Sequence, residues 1–168
     1  ISADDISDPR IALSLEKLNE ITDRYPYNKY EYLVGKEAAK SYIQPGSLAG
    51  LGNEGFIIKP IKTGDRTIIA VAGKTNQGTA YGVMRLVRTL KAYPGDLSKL
   101  SMKMKPAYPI RVMYEERPWC KQEEVSMYRA LLNRYLEETV NIADMWGVPL
   151  PPDPHYITSD YIYKQPYG

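Results

Sequence analysis

Sulfur and imidazole are almost missing from this chain: one cysteine, Cys120, and one histidine, His155, stand in 168 residues. A lone thiol excludes an internal disulfide, and with a single imidazole beside it no Cys/His zinc site can be assembled. A structural metal is therefore not expected, and neither is a cofactor. The same shortage leaves no Ser/His/Asp or Cys/His constellation for nucleophilic catalysis at these spacings. No apolar run approaches the roughly 20 residues of a membrane-spanning helix, and no basic-then-apolar leader opens the chain, so a soluble protein without a membrane partner is expected. The chain starts at Ile1 rather than Met, which suggests removal of an upstream segment. An excess of one charge is lacking too. Lys and Arg number 22 against 20 Asp and Glu, the basic residues are scattered, and a nucleic-acid surface is not expected.

What is present is ordinary in bulk and unusual in its aromatics. Hydrophobic residues at 43% and charged residues at 25% suit a globular protein, and the length allows one domain with a core, or one domain plus part of another. Fifteen Tyr and two Trp accompany a single Phe. Tyrosine buries area while keeping a hydroxyl for a polar partner, which fits either a sugar-binding cleft or the lining of domain and subunit contacts.

Along the chain, Asp8-Pro9 supplies an N-cap and a first-turn proline, and Ile11, Leu15, Leu18 and Ile21 follow at helical spacing. A short strand is expected at Glu31 to Val34, closed by Gly35, and "KEAAKSYI" then reads as a short helix ending before Gln44-Pro45-Gly46. "SLAGLGNEG" reads as a loop. Two strands, Phe56 to Lys62 and Arg66 to Ala72, flank a Thr63-Gly64-Asp65 turn, and Pro60 must sit at an edge, at a bulge or facing away from its neighbour. From Gly78 or Thr79 a helix places Val83, Leu86, Val87 and Leu90 on one face, with Arg85, Arg88 and Lys91 elsewhere. "LSKLSMKMKPAYP" looks like a polar linker. A strand from Ile110 to Glu116, a helix from about Gln122 to Val140 and a short strand in "NIADMWG" complete the pattern before a proline-rich tail.

The stretch "VAGKTNQGTAYGVMRL", Val71 to Leu86, raises the question of phosphate binding. Gly73 and Gly78 have P-loop separation, but Thr79 and Ala80 stand where Lys and Ser or Thr are needed, and Lys74 and Thr75 lie inside the loop. Gly73, Gly78 and Gly82 also miss the dinucleotide spacing. A packing role is the better expectation: Gly73 where the strand leaves the sheet, Gly78 at the entry to the helix, and Gly82 where helix and strands approach closely. Tyr81 is expected to wedge its ring beside the helix with its hydroxyl wet.

Read together, "YLVGKEAAKSYI", "GNEGFIIKPI", "RTIIAVAGKTNQGTAYGVMRLVRTL" and "YPIRVMYEERPW" resemble the hexosaminidase-like accessory domain that precedes the catalytic barrel in alpha-glucuronidases and beta-N-acetylhexosaminidases. Gly35, Glu54-Gly55-Phe56, Gly73, Gly78, Tyr81 and Gly82 fill the places of its motifs. The resemblance, over about residues 10 to 119, implies an α/β (α+β) fold with a small mixed sheet and helices packed on one face. It places an accessory domain at 1–105 and, at 106–168, a segment resembling the first βαβ elements of a (β/α)8 barrel. It also implies carbohydrate as the partner of the parent enzyme and an extracytoplasmic, periplasmic or secreted location.

A full barrel needs about 250 residues, so at most about a quarter of one is expected here. The paired acids of a glycosidase come from later strands in such enzymes, and no catalytic residue is expected in this chain. Glu115 and Glu116 are adjacent in a strand and cannot act as a pair. With Arg117 and Trp119 they would lie at the C-terminal end of a first barrel strand, where substrate contacts collect, and Trp146 would stand at the matching end of the second. These five residues are the substrate-binding candidates. Core or interface packing is the alternative for Trp146, and an ordinary buried or solvated role for the two glutamates. The expected function is a non-catalytic accessory fragment of a glycoside hydrolase. The alternative is a self-contained carbohydrate-binding or protein-interaction module, and the isolated chain is a candidate homodimer.

Overall fold

A computed structural model describes residues 1–24, 26–92, 95–108, 110–116, 134 and 142–146. The chain divides into two compact units, Ile1–Pro109 and Ile110–Gly168. In the first, a five-stranded sheet runs in the order β1-β2-β4-β3-β5, with β1 at Ser2–Ala3, β2 at Glu31–Val34, β3 at Phe56–Thr63, β4 at Arg66–Gly73 and β5 at Met102–Met104. Strands β1, β2 and β4 are parallel, whereas β3 is antiparallel to both β4 and β5. The helices are α1, Pro9–Thr22, the short α2, Pro45–Leu48, and α3, Asn76–Ala92.

Alternation along the strands divides the core in two. Tyr32, Val34, Ile58, Ile69 and Val71 alternate with the residues of the opposite face, as the register Ile58↔Val71 and Val34↔Val71 requires, and all five are buried. Helix α3 packs on β3 and β4, and α1 packs along α3. The intervening residues Ile57, Ala70 and Ala72 form a second cluster with Ala39, Ile43, Leu48 and Leu51 from the segment between β2 and β3. The long helices thus form one layer, while α2 and its flanking turns cover the other face.

The hairpin is a two-residue turn, Gly64-Asp65, with Gly64 at φ 58 in the region that glycine enters without steric cost. Pro60 pairs with Ile69 of β4, but β5 reaches only Phe56 to Ile58, so the proline sits where β3 has no second strand among the described residues.

Several expectations need correction. Helix α1 starts after Asp8, whose side chain caps Arg10 N–H, but its buried stripe is Ile11, Ser14, Leu18 and Thr22, with Leu15 and Ile21 only half-buried. Two polar residues occupy the core face, and the hydroxyl of one is satisfied locally: Ser14 Oγ donates to Ile11 O at 2.9 Å. "KEAAKSYI" is a run of turns rather than a helix, although Ala39 N bonds Gly35 O and Ile43 N bonds Ala39 O. The expected linker instead contains a 3-10 turn, Leu97–Lys99, and strand β5, whose alternating Met and Lys now read as an edge strand. Arg85 is half-buried, with Nε enclosed and without a hydrogen-bond partner among the described residues.

In the second unit, β6 (Val112–Glu116) and β7 (Ile142–Trp146) form a parallel pair. The helix expected from Gln122 to Val140 lies outside the described residues except for Arg134, which is helical.

Candidate functional site

Strand β4 ends at Gly73 and α3 begins at Asn76, two residues before Gly78, so the glycine loop is far shorter than a phosphate cradle. Three of the amides around it are tied to its own threonines. Gly73 N–H donates to Thr79 Oγ1 at 3.0 Å, Gly78 N–H to Thr75 Oγ1 at 3.2 Å, and Thr79 N–H to Thr75 O at 2.9 Å. Thr75 is thereby the N-cap of α3, and its hydroxyl donates in turn to Asn53 O. The carbonyl oxygens of Gly55 and Asn53 stand 2.6 and 2.9 Å from where a Cβ on Gly78 would lie. Two carbonyl oxygens thus press against α3 at Gly78, and an anion beside that glycine would meet acceptors rather than the donors a phosphate site provides.

The same close approach recurs at the other two glycines. A Cβ on Gly73 would collide with the backbone of Gly78 and Thr79, and one on Gly82 would come within 2.8 Å of Val71 Cγ1 and 3.1 Å of Phe56 Cβ and Cγ. Gly78 is inside α3 with no positive φ, so its role is to admit the 53–55 backbone rather than to turn the chain. Tyr81 is 2% exposed and its hydroxyl accepts from Gln77 Nε2 at 3.0 Å; the expectation of a wet hydroxyl is corrected.

Around this loop a polar clasp joins the N-termini of α1 and α3. Asp8 accepts from Arg10 Nε at 3.0 Å, from Arg10 Nη2 at 2.6 Å and from Asn76 Nδ2 at 3.1 Å. The Arg10 guanidinium holds the Asp8 carboxyl well below the usual carboxylate range; partial burial opposes this and Asn76 assists it. Arg10 is raised in turn, chiefly by its bond to Asp8. Gln77 Nε2 also donates to Glu54 Oε1 at 3.0 Å. Each carboxylate is matched to a donor from the protein itself, so the cluster is built to hold elements together. Sequence spacing showed Asp8 as a cap but not its bond to Asn76, which is 68 residues away.

The tyrosines follow the same logic. Tyr27 Oη donates to Leu90 O at 3.0 Å, Tyr32 Oη donates to Tyr27 O at 3.1 Å, and Tyr30 Oη accepts from Leu97 N–H at 3.2 Å. All three rings are buried. These three tyrosines serve neither a cleft nor a domain or subunit contact but the core of the first unit, tying the segment Tyr27–Tyr30 to the end of α3 and to Leu97.

Of the five substrate-contact candidates, Glu115 and Glu116 close β6 and Trp146 closes β7. The register sets Glu115 opposite Met145 and Glu116 opposite Trp146, so the two strands end level. Arg117 and Trp119 lie outside the described residues. Among the described residues no group of three or more His, Cys, Asp or Glu is placed to hold a metal, and no helix is long and apolar enough to cross a membrane.

The first unit is thus an α/β domain: a five-stranded mixed sheet, a two-helix layer, and a glycine loop closed by its own side chains. A family model described as the glycosyl hydrolase family 67 N-terminus matches residues 11–86, from the first core residue of α1 through β2, β3 and β4 into α3. No curated protein matches the chain.

Proposed function

We propose that this chain is a non-catalytic accessory domain of a larger carbohydrate-active enzyme of the alpha-glucuronidase type, carried with the opening strands of that enzyme's catalytic barrel. The observation that carries the reading is the family match at residues 11–86, on a unit where the polar side chains Asp8, Asn76, Gln77, Glu54 and Thr79 around the glycine loop bond to one another and to the backbone. The parallel β6–β7 pair supports the second half of it, because parallel strands require a crossover connection and are rarely stable as an isolated pair. In this reading Glu115, Glu116, Arg117, Trp119 and Trp146 contribute to the sugar-facing end of the parent's barrel, and the paired acids come from later strands. The parent acts outside the cytoplasm, on carbohydrate. Without its later strands, the isolated chain pairs with a second copy through the open edges of β6 and β7.

The chain should release no chromophore from aryl glycosides, since glycoside hydrolysis needs two positioned carboxyls. Release that disappears in Glu115→Gln or Glu116→Gln would overturn the reading. Light scattering tests the pairing: a dimer is expected, and a strictly monomeric chain at high concentration refutes that part.

A further inference from the structure

The segment from Lys36 to Leu51 crosses the sheet face opposite α3 and is held there by a small apolar cluster of its own and by an exposed bond from Lys59 Nζ of β3 to Tyr42 O at 3.0 Å, which must break with it. It leaves β2 through Gly35, at φ 111, and returns toward β3 through Gly50 and Gly52, at φ 79 and 72. Glycine reaches such angles freely, so both ends are jointed. Its backbone bonds are mostly internal turns, such as Ala39 N to Gly35 O, Ile43 N to Ala39 O and Leu51 N to Leu48 O. Lifting it would leave the ladder of β2, β3 and β4 intact.

One side chain fastens the entry joint. Asp4 accepts from Glu37 N–H at 2.6 Å and from Ala38 N–H at 3.0 Å, while its own N–H donates to Val34 O at 2.9 Å and so extends β1. A Cβ on Gly35 would fall 2.6 Å from Asp4 Cγ, which shows that the glycine leaves room for this carboxylate. Two elements far apart in sequence, β1 and the 36–51 segment, therefore share a single ionic fastening.

We propose that residues 36–51 and β1 form one conformational strap, latched by the Asp4 carboxylate, that opens from the sheet as a unit while the α1–α3 layer stays folded. The helix layer is independent because the sheet separates its core from the strap's cluster, and local openings of this kind follow cooperative units with few long-range backbone bonds. Once lifted, the isolated turns have no surface to rest on and exchange with solvent together.

Native-state hydrogen exchange on the full chain tests this. In the wild type at low denaturant, the amides of Asp4, Ala39 and Ile43 should exchange through one shared opening, well before Val83 and Leu86 of α3. Asp4→Asn should speed that opening by roughly tenfold or more, the worth of a charge-assisted bond, with the α3 amides changed less than about twofold. Acceleration spread evenly over α3, or confined to residues 37 and 38, would overturn the strap. So would wild-type strap amides that exchange only on global unfolding, a result that decides the matter even if the variant does not fold.

Discussion

Replacing Gly82 by valine sets two effects of known sign against each other. Glycine inside a helix costs about 0.5 to 1 kcal/mol relative to alanine, so any Cβ at position 82 starts with a helix-propensity gain, reduced for branched valine. Against it stands the sheet. The first added carbon would meet Val71 Cγ1 at 2.8 Å and Phe56 at 3.1 Å, and these neighbours are 0% and 3% exposed. Val71 is β-branched, lies mid-sheet and has no free rotamer to retreat into, so the helix must move off the strands. Overpacking of this kind costs about 1 to 3 kcal/mol, and valine adds two methyl groups to the clash. The steric cost wins, and the net destabilisation should be about 1 to 3 kcal/mol. For a domain of this size each kcal/mol moves the midpoint by roughly 4 to 8 °C. Gly46 in α2 is the internal control: a Cβ there meets nothing within 4 Å and its φ is not positive. Gly46→Ala should be neutral or stabilise by about 0.4 to 1 kcal/mol. Thermal unfolding followed by circular dichroism reads both variants. A Gly82→Val midpoint equal to that of Gly46→Ala, or to that of the exposed-charge variant Arg88→Ala, would refute the close-approach account.

Leu18→Ala should cost about 2 to 5 kcal/mol by chemical denaturation and Leu15→Ala clearly less, because only Leu18 lies in the buried stripe of α1. Asp8→Ala should lose about 1 kcal/mol near neutral pH from the cap alone. Because the folded-state pKa of Asp8 is depressed, its contribution is present above the ordinary carboxylate value and fades progressively as pH falls from about 4 through the folded-state value; the gap between wild type and variant should narrow steadily over that range, and a pH-independent gap contradicts the assignment. Tyr32 is held above its ordinary value, first by burial and then by Tyr30 and Tyr27. A raised value means stability is complete below the unfolded pKa and is lost above about pH 10, so Tyr32→Phe should flatten the alkaline fall in the unfolding midpoint.

The parts of the fold that were legible in the sequence are those fixed by neighbours in the chain. Strand β2, the β3–β4 hairpin with its Gly64 turn, and the Asp8 cap all follow from local periodicity and turn chemistry, and each stands where local chemistry puts it. What was not legible depends on partners distant in sequence. The face of α1 is rotated because Ser14 and Thr22 are buried while Leu15 sits on the flank. The polar run at Met102–Met104 is a strand because β3 offers it an edge, and its composition alone reads as linker. Tyr81 looked amphipathic until Gln77 closed over its hydroxyl. At the candidate sugar-contact residues, spacing placed Glu115, Glu116 and Trp146 at strand ends, and the register Glu116↔Trp146 brings two of those ends level.

The central claim is that the chain serves a larger glycoside hydrolase, and the nucleotide sequence beyond the codon for Gly168 tests it most directly. The account predicts several hundred further residues in which strands and helices alternate, with two carboxylates near the ends of later strands. A stop codon at once after Gly168 would contradict it.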